Sequence, residues 1–215
     1  LSLAPVAVVT SSAPAQAAAD VATASSFRTS PDKRATFGDS FFASGDVEAA
    51  DGSFIDVGNL LLQRQLPGSS AWKTVASDTL GDDDFSGFDE YSKHKSNAAF
   101  RIAYSGGTDG ETNYLPSVSA PVGVKVMRIF DVENVSGKRQ PTADVKVSPK
   151  FGKKKLVIQK KQGKKFKPFR KVKTNKKGKV RISLPGSSKG IDYRLVAPKD
   201  KDFVTTSTIV TARVF

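Results

Sequence analysis

"KVRISL", residues Lys179–Leu184, is the stretch that decides how the C-terminal part of this chain folds. Val180, Ile182 and Leu184 alternate there with charged or polar residues. Successive side chains of a β-strand point to opposite faces of its sheet, so the alternation predicts a strand with one apolar and one cationic face. A disordered basic tail has no reason to keep its apolar residues in step.

The neighbouring segments "LVIQK" (Leu156–Lys160) and "YRLVA" (Tyr193–Ala197) alternate in the same way. The turns between such segments, for example "TNKKGK" (Thr174–Lys179), add more lysine. Burying a large apolar side chain contributes about 1.5–3 kcal/mol, so a handful of them can support a small domain. We therefore predict a compact sandwich over residues 142–215 whose lysines point outward.

The N-terminal part also consists of short apolar runs with a period of two, separated by turn signals. No segment keeps a helical period over the length that a helix needs. This pattern predicts an all-β protein with the strand spacing of a sandwich or barrel. The runs are "LLLQRQ" (Leu60–Gln65), "AWKTVAS" (Ala71–Ser77), "AFRIAYS" (Ala99–Ser105) and "APVGVKV" (Ala120–Val126).

The C-terminal part repeats the landmarks of the N-terminal part in the same order. A repeated order over this length indicates a duplicated domain. The paired landmarks are Leu60–Gln65 with Lys155–Lys161, Trp72–Val75 with Phe169–Val172, Gly87 with Gly178, Phe100–Tyr104 with Tyr193–Ala197, and Ser119–Val126 with Ser207–Val214.

The repeated unit has a strand ending in Leu-Gln-basic, a Trp-Lys-x-Val strand, a glycine-containing turn, a Phe/Tyr-Arg strand and a Ser-rich last strand. This unit resembles the immunoglobulin-like β-sandwich repeats of secreted and surface-attached actinobacterial proteins. The resemblance covers residues 36–128 and, more loosely, 142–215, where Phe169 replaces Trp72. It implies two tandem immunoglobulin-like β-sandwich domains but little about function, because such sandwiches host many roles.

The rest of the chain is assigned around these two units. Residues 1–17 read as the remnant of a signal peptide, because Ala15-Gln16-Ala17 fits the small-x-small cleavage pattern; the alternative is an alanine-rich disordered tail. Residues 18–35 are predicted to be a flexible lead-in, and 129–141 a linker or the first strand of the second domain. A cleaved signal predicts a secreted or cell-surface protein. No run is long enough to span a membrane.

Charge divides the chain into an acidic and a basic part. The formal net charge is +13, but residues 1–141 hold 12 Lys+Arg against 17 Asp+Glu, and residues 142–215 hold 22 against 4. The basic part has 18 Lys and only 4 Arg. Arginine suits bidentate readout of phosphates and bases, whereas lysine acts as a point charge. The favoured hypothesis is a non-catalytic module that adheres to an anionic cell-envelope polymer through its lysines: Lys153, Lys154, Lys155, Lys160, Lys161, Lys164, Lys165, Lys171, Lys173, Lys176, Lys177 and Lys179.

Two other interpretations remain open. The same basic face could bind nucleic acid, since phosphates attract basic patches. Alternatively, the charge serves only solubility, structural spacing or self-association, with the acidic domain of one copy meeting the basic domain of another. Steep salt dependence of binding to envelope polymer would favour the first hypothesis over a spacer.

No catalytic, cofactor or metal site is predicted. His94, the sole histidine, lies between two lysines in a polar stretch and is expected to be an exposed loop residue. Asp82-Asp83-Asp84 lacks the D-x-D-x-D-G spacing of a calcium loop, so we expect a solvated turn. Trp72 and Phe169 recur at matching positions, which favours two core side chains over an exposed sugar-binding platform.

Overall fold

The computed structural model describes residues 18–81, 87–133, 136–137 and 140–215. Every helix or strand in these ranges is a β-strand, so the predicted all-β sandwich class is confirmed. The strands are β1 (Ala19–Val21), β2 (Thr23–Ser25), β3 (Arg28–Ser30), β4 (Arg34–Thr36), β5 (Ser40–Ser44), β6 (Val47–Ala49), β7 (Asn59–Gln65), β8 (Lys73–Thr79), β9 (Gly87–Lys93), β10 (Ala98–Tyr104), β11 (Gly107–Asp109), β12 (Thr112–Tyr114), β13 (Ser117–Val118), β14 (Val122–Met127), β15 (Ile129–Glu133), β16 (Ser136–Gly137), β17 (Thr142–Ser148), β18 (Lys155–Gln162), β19 (Lys165–Lys173), β20 (Lys179–Ser183), β21 (Ile191–Ala197) and β22 (Thr206–Val214).

Strands β1–β14 form the N-terminal sandwich. Its large sheet has the order β4-β14-β10-β7-β8, with β13 added beside β10, and its smaller sheet has the order β3-β5-β9. The core lies between the two sheets because alternate side chains of each strand point inward. Phe100, Ile102 and Tyr104 of β10 are buried, as are Leu60 and Leu62 of β7.

Strands β15–β22 form the C-terminal sandwich. Its large sheet has the order β16-β22-β21-β18-β19, and its smaller sheet has the order β15-β17-β20. The alternation in "KVRISL" places Ile182 and Leu184 in the core and leaves Lys179 and Arg181 exposed. The core side chains from the two sheets form one cluster: Ala143, Val145, Val147, Phe151, Leu156, Ile158, Ile182, Leu184, Tyr193, Leu195, Ala197, Val210 and Ala212.

The two sandwiches share one strand arrangement. In each large sheet the first edge strand pairs in parallel with the last long strand, β4 with β14 and β16 with β22. In each, the pairing register also shifts at the same place, between Leu62 and Gln63 and between Ile158 and Gln159. The repeated sequence landmarks therefore occupy equivalent strands of the two sheets.

Two segments outside the sandwich predictions are strands. The prediction of a flexible lead-in over residues 18–35 is wrong: β1 pairs with β12, β2 with β6, β3 with β5 and β4 with β14. These partners are distant in sequence, so local polarity could not reveal them. Within 129–141, Ile129–Glu133 pairs with β17 as the first strand of the smaller sheet. The signal prediction for 1–17 lies outside the described residues.

Arg128 joins the two sandwiches between β14 and β15. Its side chain is fully buried and lies over the rings of Phe203, at 4.4 Å, and Phe151, at 5.2 Å. The guanidinium donates hydrogen bonds to the carbonyls of Pro149 and Pro198 and forms an ion pair with Asp200. These contacts fix the loops of the C-terminal sandwich against the end of the N-terminal one.

Candidate polyanion-binding surface

The twelve predicted lysines are solvent-accessible, and four of them share one face. Ten are exposed, while Lys154 and Lys160 are half-buried. Lys155 and Lys161 on β18, with Lys171 and Lys173 on β19, occupy positions that alternate with inward-facing Leu156 and Ile158. These four lysines define the outer lysine face of the large C-terminal sheet.

The other eight lysines lie elsewhere on the C-terminal sandwich. Lys160, Lys164 and Lys165 lie at the end of the β18–β19 hairpin. Lys179 is on the outer side of the smaller sheet, and the remaining four belong to loops: Lys153, Lys154, Lys176 and Lys177. The prediction that the lysines occupy the solvent side of one sheet is therefore wrong for these residues, because the turns carry lysines to several sides.

Like charges face each other across the strands. Lys155 lies directly opposite Lys173, and Lys160 opposite Lys167. Such pairs destabilise a sheet by up to about 1 kcal/mol each. Of the twelve lysines, Lys154 and Lys161 form ion pairs with carboxylates of the described residues, and the other ten do not. Most of the charge is therefore free to meet an external anion.

The two ion pairs perturb their carboxylates. The Lys161 hydrogen bond, with help from Thr211, lowers the pKa of Asp192 below its ordinary value. Burial acts to raise the pKa of Asp200, but the nearby Lys154 and Arg128 outweigh it and lower that pKa overall. Both carboxylates therefore stay ionised at neutral pH and neutralise only their own partners.

Part of the lysine pattern has a structural explanation. β19 is an edge strand, and lysines along an edge prevent pairing with strands of other chains. This explains the lysines of β19. It does not explain the lysines of the loops, such as Lys153 and Lys176, which border no free edge.

A second feature of the outer faces was missed from sequence. Arg101 donates a hydrogen bond to Gln63 Oε1 at 2.8 Å and lies over the Trp72 ring at 4.2 Å. In the C-terminal sandwich, Arg194 lies beside Gln159 across the strands and over the Phe166 ring at 4.1 Å. The Gln and Arg of each trio stand at matching positions of the repeat, which is the signal that could have revealed it.

The core assignment of Trp72 and Phe169 is wrong. Trp72 is half-buried under Arg101 and lies outside the core cluster, and Phe169 is 40% exposed. The register shift between Ile158 and Gln159 leaves Phe169 without a cross-strand partner. As a result Phe166, and not Phe169, takes the position under the arginine.

The exposed-loop assignment of His94 is also wrong. His94 is 3% exposed and packs edge-on against Phe41, with ring centroids 5.1 Å apart. Backbone hydrogen bonds with Gly38 and Asp39 hold it in place. Burial lowers its pKa, against the opposing charge of Asp39, and its Nε2 has no hydrogen-bond partner among the described residues. Nothing near it within that part of the chain serves as a nucleophile.

A cleft of about 570 Å³ lies on the outer side of the smaller C-terminal sheet. Its charges largely pair with each other: both carboxylate oxygens of Asp144 accept hydrogen bonds from Arg181, which lowers the pKa of Asp144 and raises that of Arg181. A carboxylate held ionised in this way is unsuited to act as a general acid. Asp131, Glu133, Lys146 and Lys179 complete the polar lining.

The described residues contain no group of three or more His, Cys, Asp or Glu side chains placed to hold a metal ion. The Asp82-Asp83-Asp84 turn lies outside the described residues, so its relation to calcium stays a prediction. No helix in the described ranges has the length and apolar character needed to cross a bilayer.

Comparison with known proteins adds little beyond the fold. No family model matches the chain, and no curated protein matches it. Solved structures do match, among them the FN1–FN3 domains of chicken CNTN1, at 13% identity and a TM-score of 0.29. The match covers 90% of this chain and 66% of that one. A similarity this distant carries no argument, so the fold assignment depends on the strand pairing described above.

Proposed function

We propose that this protein is an exported, non-catalytic binding module that adheres electrostatically to an anionic polymer of the cell envelope. The observation that carries the proposal is the lysine surface of the C-terminal sandwich, where ten of the twelve lysines have no carboxylate partner among the described residues. Uncompensated like-charge pairs such as Lys155 with Lys173 cost stability, and an external polyanion would relieve that cost.

The chemistry of the surface favours a flexible phosphate polymer over base-specific nucleic-acid binding. The contacts come from lysine ammonium groups, which attract phosphate without reading its orientation. The aromatic ring nearest the outer lysine face, Phe166, is covered by Arg194 and so is not free to stack on a base.

The test compares two variants of the full chain that each lose four positive charges. In the first, the outer lysine face is removed by Lys155→Gln, Lys161→Gln, Lys171→Gln and Lys173→Gln. In the control, the exposed residues Arg28, Lys33, Lys125 and Lys189 are replaced by glutamine. Binding to poly(glycerol phosphate) is measured, with neutral dextran as the uncharged probe.

We expect the face variant to weaken binding and to flatten its salt dependence by about 0.7 in slope for each lost phosphate contact. The control variant should change both much less, and dextran should not bind. Equal losses in the two variants, or tighter binding of single-stranded DNA than of poly(glycerol phosphate) at the same salt, would contradict the proposal.

A further inference from the structure

The N-terminal sandwich is acidic overall, but its charges are separated along its length. Its strand β7 runs from Asn59, near Asp56, to Arg64 at the opposite end. Asp56, Asp109 and Glu111 belong to loops or short strands around the first end, where the Tyr104 hydroxyl donates a hydrogen bond to the Val57 carbonyl. A count of charge by sequence halves conceals this separation.

The cations of the N-terminal sandwich gather at the end that meets the C-terminal sandwich. Arg64, Lys93 and Lys95 line one small cleft around His94. Lys93 and Lys95 are exposed. The same loop continues to Asn97, so these three cations lie beside the junction.

Hydrogen bonds connect this loop to lysine-bearing loops of the C-terminal sandwich. The Asn97 backbone N–H donates to the Asp202 carbonyl at 2.7 Å, and the Asn97 side-chain amide donates to the Lys201 carbonyl at 3.2 Å. Asp202 forms an ion pair with Lys150 at 3.3 Å. Lys153 donates its backbone N–H to the Asn175 carbonyl at 2.9 Å, next to Lys176.

We infer that the polyanion-binding surface crosses the junction between the two sandwiches, so that one linear phosphate polymer contacts both. The junction belt comprises Arg64, Lys93, Lys95, Lys150, Lys153 and Lys201. Asp202 offsets one of these cations, and Asp200 is already paired with Arg128 and Lys154. The belt therefore keeps a positive excess that continues into the lysines of the C-terminal sandwich.

The backbone of the belt carries a further indication. Lys150 and Lys153 have φ angles of 53° and 58°, in the left-handed region that favours glycine. A lysine there costs about 1–2 kcal/mol relative to right-handed backbone. Positions of this kind cluster at binding sites, where the side chain is needed in spite of the backbone cost.

This inference rests on the proposed function, and the experiment separates the two. The full chain carrying Lys93→Gln and Lys95→Gln is compared with one carrying Arg28→Gln and Lys33→Gln, which loses the same charge from exposed residues outside the belt. Affinity for poly(glycerol phosphate) is measured as a function of salt. We expect the belt variant to lower the salt slope by about 1.4, because two phosphate contacts are lost at about 0.7 each, and the control to match the unmodified chain.

Lysine methylation with and without poly(glycerol phosphate) provides a second readout on the unmodified chain. Joint protection of Lys93, Lys95, Lys150 and Lys201 is expected. If the polymer binds and the lysines of the C-terminal sandwich are protected while Lys93 and Lys95 react at their free rate, the inference is overturned and the proposed function stands. If the unmodified chain does not bind the polymer, both are rejected.

Discussion

Replacement of Arg128 by methionine tests how the junction is held together. Methionine keeps much of the packing on Phe203 and Phe151, but it removes every hydrogen bond that the guanidinium donates. The Pro149 and Pro198 carbonyls then lose a charged donor, and Asp200 keeps only Lys154. Removing one partner of a buried ion pair costs about 3–5 kcal/mol, and we expect a loss in that range for Arg128→Met.

The assay is urea unfolding of the full chain, followed by far-ultraviolet circular dichroism and by fluorescence of Trp72, the sole tryptophan, which reports the N-terminal sandwich. The matched control is Arg181→Met. Arg181 also donates two hydrogen bonds to an aspartate, but its side chain is 73% exposed, so water replaces those bonds. Arg128→Met should lower the midpoint and separate the two transitions, whereas Arg181→Met should change little. Equal midpoints for the two variants would refute the reasoning.

Three further predictions concern single sites. Because burial lowers the pKa of His94 from its ordinary 6.5, the unfolded chain takes up a proton before the folded one does, and stability falls as pH drops below about 6.5; the stability difference between wild type and His94→Phe should shift in favour of the variant from pH 7.5 to 5.5, and a difference independent of pH would contradict this. In Gly152→Ala, the new Cβ would lie 2.2 Å from the Lys176 carbonyl oxygen, so thermal unfolding should show a loss of about 1–3 kcal/mol, while Gly123→Ala, which meets open space, should not. Tyr193→Phe removes the 2.8 Å hydrogen bond to the Pro185 carbonyl and should cost about 1 kcal/mol in urea unfolding; a loss below measurement error would show that the bond contributes nothing.

The sequence pattern was sufficient where local alternation determines burial. The period of two in Lys179–Leu184 places Ile182 and Leu184 inside and Lys179 and Arg181 outside, as observed. The order of the repeated landmarks likewise corresponds to equivalent strands in the two large sheets. Both results depend on geometry that a strand imposes on its own residues.

The pattern failed where distant segments decide the outcome. His94 looks polar among its neighbours, yet Phe41, far away in the chain, covers it. Residues 18–35 look too polar for a sheet, yet they pair with strands such as β12 and β14. The junction belt was invisible for the same reason, because Lys95 and Lys150 are brought near each other only by the contacts of Asn97 and Asp202.

The measurement that tests the central claim most directly is the affinity of the full chain for poly(glycerol phosphate) across a series of salt concentrations. The account predicts that the logarithm of the association constant falls linearly with the logarithm of salt, with a slope of about −0.7 for each lysine–phosphate contact, so that several contacts give a steep line. An affinity that does not change from low to high salt would contradict it, since lysines that bind by charge must release counterions.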